Sequence, residues 1–246
     1  HSKGALAIDG AAGGFWLTHS VPEYPTNATR SRWPAHKQNK FAQHMFCATM
    51  GAKALGEGVA RALATDRVYV YNASLREAEE RAYPALRAVL DGAGADPEYR
   101  ADLSTSGGLR LRLFGKAGEL SSGACASTTR ADLWEGVVAP GLGAPMTVQS
   151  WCGGLHASRP CIPSNCTAPG AAVHNVLTIG RLDTPPAEGA TAGGGATWPN
   201  AVDHSKWAVS DDGEWACFAD LNHAAGCVAL RKCTPVIQRY MAHERA

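Results

Sequence analysis

His1-Ser2-Lys3 recurs in the same chain as His204-Ser205-Lys206. The match extends beyond the triplets. An aromatic residue stands fourteen positions after each histidine (Phe15, Phe218), and a second polar residue stands eighteen after it (His19, Asn222). Shared offsets of this kind read as duplication of a strand–turn–strand unit. Such a duplication asks the fold for two similar halves, each bringing one strand that carries a histidine and a lysine. Side chains at i and i+2 of a strand lie on one face, about 6.5–7 Å apart. His204 and Lys206 are therefore expected to project together, with Trp207 and Val209 on the opposite face. His1 and Lys3 are expected to do the same, backed by Leu6 and Ile8. Two such strands meeting about a pseudo-two-fold axis would set two imidazoles and two ammonium groups around one pocket.

That set of groups suits phosphodiester cleavage. A neutral imidazole can attack phosphorus and form a covalent phosphohistidine. An opposing protonated imidazole can donate to the leaving oxygen. The lysines neutralise charge on the non-bridging oxygens, which a metal does in other enzymes. A lone His-x-Lys is usually no more than a solvated strand end. The second copy, with its matched flanks, is what points to chemistry.

The rest of the chain is compatible with a layered α/β architecture. Strand-like runs occur at Gly4–Ile8, Phe15–Thr18, Val68–Tyr71, Leu109–Phe114, Met146–Trp151, Val173–Ile179, Trp207–Ser210 and Trp215–Leu221. Helical patterns lie between them. Leu55, Val59 and Leu63 form one stripe. Ser74 with Glu77 reads as a capping box opening a helix towards Leu90, kinked at Pro84. Asp132–Leu142 is a further helix, and Thr234-Pro235 reads as the start of a C-terminal one. The stretches Asp91–Pro97 and Pro185–Pro199 read as surface loops, and Gly193-Gly194-Gly195 lacks the Lys-Ser/Thr of a phosphate-binding loop. The apolar fraction of 45% supports a buried core. A formal charge of only +1 means that any nucleic-acid contact must rest on locally placed cations. No apolar run approaches the roughly 20 residues that span a bilayer. Eight cysteines without a C-x-x-C pair favour disulfides in an oxidising compartment over a zinc site.

The segment HSKGALAIDGAAGGFWLTHSVPEYP resembles the first His-x-Lys block of the deoxyribonuclease II family, including its FWL-HSVP signature. DHSKWAVSDDGEWACFADLNH is similar to the family's second block. Asp132–Leu142, Pro163–Cys166 and Val173–Ile179 match between the two, so the resemblance spreads over most of the chain. It implies a phospholipase D-like α/β fold of two pseudo-symmetric α/β/α halves with mixed sheets, the active site lying at their interface. On this reading residues 1–104 are the remainder of the first half, without its N-terminal lead-in, and residues 105–246 are the second. The implied activity is metal-independent endonucleolytic cleavage of double-stranded DNA at acid pH, with no cofactor, leaving 3′-phosphate and 5′-hydroxyl ends. His1, Lys3, His204 and Lys206 carry over as the catalytic quartet; the sequence leaves open which histidine attacks, and the expectation adopted is His1 as nucleophile and His204 as acid. His19 and Asn222 carry over as phosphate ligands, or as caps of neighbouring loops.

Cys217 is expected to pair with Cys233 or Cys227, as relatives carry a cysteine soon after the W-C--D-N strand. The resemblance also implies a secreted, periplasmic or lysosome-like compartment and no membrane contact. An upstream fragment of the same precursor is expected as a bound partner, and a homo-oligomer is compatible with the reading. His223 stands where many relatives have arginine, and VALRK replaces a glycine-rich run, which sets the C-terminal edge of the groove apart from the family. Two other readings share these residues: a phospholipase D-like phosphodiesterase acting on another substrate, and an inactive relative that binds DNA.

Overall fold

In the computed structural model the described residues are 3–22, 39–93, 96–116, 132–151, 172–179 and 197–220, with the backbone of 238–244. Three strands, β1 (Gly4–Ile8), β2 (Gly14–His19) and β3 (Met45–Met50), form an antiparallel sheet in that order. Nine more follow: β4 (Glu98–Ser104), β5 (Arg110–Lys116), β6 (Met146–Gln149), β7 (Val173–Asn175), β8 (Thr178–Ile179), β9 (Trp198–Pro199), β10 (Trp207–Ser210), β11 (Trp215–Ala219) and β12 (Gln238–Glu244). Seven of these build the main sheet in the order β4-β5-β12-β11-β10-β6-β7, antiparallel except for the β6–β7 pair. Strands β8 and β9 form a separate ribbon. The molecule is a mixed α/β protein, as expected from the interleaved patterns.

Strand β5 shows how one alternating sequence serves two cores. Leu111 and Leu113 point to one face of the sheet, where they pack with Trp16, Met50, Leu55, Val59 and Leu63. Phe114 points to the other, with Trp134, Val138, Val148, Ala208 and Cys217. The stripe Leu55–Val59–Leu63 is buried as its spacing requires. It lies on a wide-turned helical segment, Ala54–Val59, that continues as Ala60–Thr65. The helix expected from Asp132 also forms, as Trp134–Val138 followed by Ala139–Leu142. The Asp132 carboxylate accepts the backbone N–H groups of Trp134 at 2.8 Å and Glu135 at 3.0 Å, which a helix N-terminus otherwise leaves unpaired.

Four expectations are corrected. Val68–Tyr71 is no strand: Val68 and Val70 pack on the helical layer while Tyr69 and Tyr71 are exposed, so the alternation reflects one-sided packing without a ladder partner. Ser74 caps nothing. The helix starts after Arg76, whose guanidinium bonds Glu79 in the first turn. At Pro84 the chain breaks rather than kinks: Glu77–Ala82 ends, Tyr83 leaves the helical conformation (φ −133°, ψ 81°), and Pro84 opens a second helix, Pro84–Asp91. The expected C-terminal helix is instead β12 over residues 238–244, in the sheet slot between β5 and β11, where Tyr240 is paired with Phe114 on one side and Ala219 on the other. Two ladders of backbone bonds override a local helix-start signal. Strands β3 and β4 are not among the strands expected from the sequence.

At the turn between β1 and β2, Gly13 has φ +95°, and a Cβ there would lie 2.3 Å from the Met50 carbonyl oxygen. Only glycine admits β3 this close to the hairpin. Residues 39–44 lead into the opposite end of β3.

Candidate active site

Residues 41–44 run beside residues 202–206, and each takes hold of one group of the second motif. Ala42 donates its N–H to the Val202 carbonyl (2.9 Å) and accepts the His204 N–H (2.8 Å), forming an isolated parallel bridge with Asp203. Gln43 places its side-chain nitrogen 3.2 Å from His204 Nδ1. His44 accepts the Lys206 backbone N–H on Nδ1 at 3.2 Å. Asp203 tightens the segment from its own side. Its Oδ1 accepts the Ser205 N–H (2.8 Å) and the Ser205 hydroxyl, and its Oδ2 accepts the Trp198 indole N–H (2.9 Å). The motif is therefore not part of a strand, contrary to expectation. It is an extended lead-in held by side chains, and β10 begins only at Trp207.

The His204 ring is fixed on three sides. Phe41 stacks on it at 3.9 Å, Trp151 meets it edge-on at 4.9 Å, and Gln43 faces Nδ1. Trp151 is in turn anchored by its indole N–H on the Ala201 carbonyl (3.1 Å). The Ser20 hydroxyl accepts the His44 N–H (2.9 Å) and donates to Gln43 Oε1 (2.6 Å). That orients the Gln43 NH₂ towards His204, so Nδ1 is an acceptor and the neutral ring carries its proton on Nε2. The Lys206 ammonium donates to the His204 carbonyl at 2.5 Å.

Lys3 stands just ahead of β1, and its carbonyl accepts the His19 N–H at 3.2 Å. The Lys206 carbonyl likewise accepts the Ala219 N–H at 2.8 Å. Each motif lysine thus begins a hairpin ladder, but the registers differ. His19 lies 16 residues after Lys3 (19 − 3), whereas Ala219 lies 13 after Lys206 (219 − 206). Phe15 faces Ala7, while Phe218 faces Trp207. The equal offsets of Phe15 and Phe218 from their motif histidines are therefore not equal places in the two hairpins. His1, Asn222, and Cys227 and Cys233, the expected partners of the buried Cys217, lie outside the described residues.

The charges converge. Lys3 is held below the usual lysine range by burial, against the pull of Asp220. Lys206 is lowered to about 7 by burial and by Lys3, against Asp220 and Asp203. His19 falls to about 4 through burial and Lys3. His204 falls to about 4 through burial, Lys206 and Lys3, with Asp203 opposing. His44 falls to about 3 through burial, Lys206, His19 and Lys3. Thr18 donates its hydroxyl to the buried Asp220 carboxylate at 3.3 Å. Two lysines and three imidazoles thus share one low-dielectric site, and every one of them binds its proton more weakly than in water.

Lys3, His19, His204 and Lys206 are thereby brought together. Sequence reasoning missed His44, Gln43, Asp203 and Asp220. Asp203 and Asp220 both lie inside the second quoted block and could have been singled out as the only carboxylates within three residues of His204, Lys206 or Asn222. Gln43-His44 gave no such signal, because its role comes from a pairing across more than 150 residues.

A buried cluster of cations and neutral imidazoles, with two carboxylates to orient it, defines a site for a phosphate-like anion and for proton transfer to or from it. A family model for deoxyribonuclease II matches residues 1–229. This chain belongs to that family. It is 29% identical to the Deoxyribonuclease-2-alpha proteins of Rattus norvegicus, Sus scrofa and Mus musculus over 227, 230 and 228 residues. Each match covers 90% of this chain and 57%, 55% and 57% of the relative. The chain therefore spans little more than half the length of these relatives.

Proposed function

We propose that this chain carries the phosphodiester-cleaving centre of a metal-independent acid endonuclease acting on double-stranded DNA, in a phospholipase D-like fold of two facing halves. The observation that carries the reading is the burial of Lys206, His204 and His19 beside Lys3 and His44 in one site, where each group binds its proton weakly. A bound phosphate would supply the missing negative charge and restore proton affinity to Lys3, His19, His204 and Lys206.

The roles follow from proton placement. Neutral His204 holds its proton on Nε2, so that nitrogen has no lone pair for attack. Attack on phosphorus therefore falls to His1: a bond forms from His1 nitrogen to phosphorus as the bond from phosphorus to O5′ breaks. Protonated His204 gives its Nε2 proton to O5′. Water then attacks the phosphohistidine, His204 takes the water proton, and 3′-phosphate and 5′-hydroxyl ends result. Protonating His204 puts a second N–H on Nδ1, which requires the Gln43 amide to turn its oxygen there. The Ser20 hydroxyl allows that turn, because it can accept from NH₂ as readily as it donates to oxygen. Lys3 and Lys206 take the non-bridging oxygens, with His19 and Asn222 as further phosphate ligands.

The reading is tested by quenching the enzyme during turnover on plasmid DNA in chelator at about pH 5, then mapping phosphorylated peptides. An acid-labile, base-stable adduct on His1 and 3′-phosphate ends are expected. Cleavage with 3′-hydroxyl ends, or no histidine adduct under any quench, would overturn it.

A further inference from the structure

We propose that His44 is a phosphate ligand of this site, donating Nε2–H to a non-bridging oxygen. The proposal rests on the reading of the site as a phosphate centre. Nδ1 of His44 accepts the Lys206 N–H at 3.2 Å, so it cannot hold the ring's proton while the ring is neutral. The proton must be on Nε2. That atom is buried and has no hydrogen-bond partner among the described residues. A buried N–H left without an acceptor is costly, and of the groups that act on the ring, Lys206 and Lys3 are cations and His19 does not accept its Nε2–H. Phe218 lies against the ring at 6.0 Å and offers no acceptor. What would complete this corner is an anion with oxygens reachable by the lysines and by Nε2 together. The ring stays neutral far into the acid range, since its pKa is about 3. It therefore adds a directional donor without adding a further positive charge to Lys3 and Lys206.

Two substitutions split the ring's two jobs. In His44→Asn, Oδ1 can still accept the Lys206 N–H, but the Nε2 donor is gone. In His44→Gln, an NH₂ reaches the place of Nε2, but the acceptor for Lys206 is gone. Inorganic phosphate binding to the full chain is measured by calorimetry at pH 5, beside melting temperature and kcat/KM on a short duplex. His44→Asn should lose roughly 10- to 100-fold in phosphate affinity with its melting temperature kept. His44→Gln should keep most of the affinity and melt lower. A ring that serves only to hold Lys206 would give the reverse order, with Asn harmless and Gln harmful, and that result overturns the proposal. Unmeasurable phosphate binding by the wild-type chain overturns it too. Phosphate binding that follows the predicted order in a chain with no cleavage of the duplex would support the ligand and count against the nuclease reading. Equal affinity for phosphate in both variants, with kcat/KM on the duplex split in the predicted order, would assign Nε2 to the diester rather than to free phosphate.

Discussion

Gln43 holds His204 through a single amide, and its orientation sets which imidazole nitrogen carries the proton. Replacing it with glutamate places a negative oxygen beside Nδ1 and favours the imidazolium. If His204 acts as the acid, activity falls as pH rises through its pKa, and a raised pKa carries activity to higher pH. The alkaline limb of the kcat profile is predicted to move up by about one unit in Gln43→Glu. An unmoved limb would mean that His204 is not the titrating acid. Lys206, lowered to about 7, sets a second limit: it is charged below that pH and neutral above it, so phosphate affinity should weaken through neutrality. In Lys206→Met the affinity should be low and should lose the change centred near pH 7, as measured by titration of inorganic phosphate.

The segment of residues 41–44 meets the second motif through each of its residues: the Phe41 ring, the Ala42 backbone and the Gln43 and His44 side chains. It acts as the motif's template. Ala42→Pro removes the N–H given to Val202 and bends the chain where it pairs with Asp203. It should cost only a few degrees in melting temperature while lowering kcat at least tenfold, with the His204 amide losing protection from hydrogen exchange. Equal losses of stability and activity, with protection unchanged, would contradict a templating role. This segment also shows where reading the sequence ended. The alternation in β1, β2, β5 and β10 was legible because each strand buries one face, so its pattern is local. The same holds for the stripe Leu55–Val59–Leu63. The positions of β12 and of Gln43-His44 depend on partners far along the chain, and residues 68–71 imitate a strand because a helical layer buries every second side chain there as a sheet would. The motif residues were found by their repetition, but their true ladder positions, three residues apart between hairpins, appear only in the register.

At the scale of the molecule, the site is a source of instability in acid. His19 and His204 have folded pKa values of about 4 and His44 about 3, all below the unfolded value of 6.5. Each ring is a weaker base in the fold, so its contribution to stability is full above about pH 6.5 and is lost as pH falls towards the folded value. For a buried ring shifted from 6.5 to 4 the loss by pH 4 is on the order of 3 kcal/mol. The melting temperature should fall steeply between pH 6.5 and 4, and inorganic phosphate should restore much of it by pairing with the protonated rings. A flat profile, or one that phosphate does not change, would mean that these rings are not coupled to the anion site.

The central claim is that two histidine–lysine motifs form one phosphodiester centre. It is tested most directly by nicking of supercoiled plasmid at about pH 5 in chelator, comparing the wild-type protein with His204→Ala. The wild type should nick, and the variant should lose at least about a thousandfold in rate, because nucleophile and acid act as a unit. Near-full nicking by His204→Ala, or a wild-type rate abolished by chelator, would contradict the account.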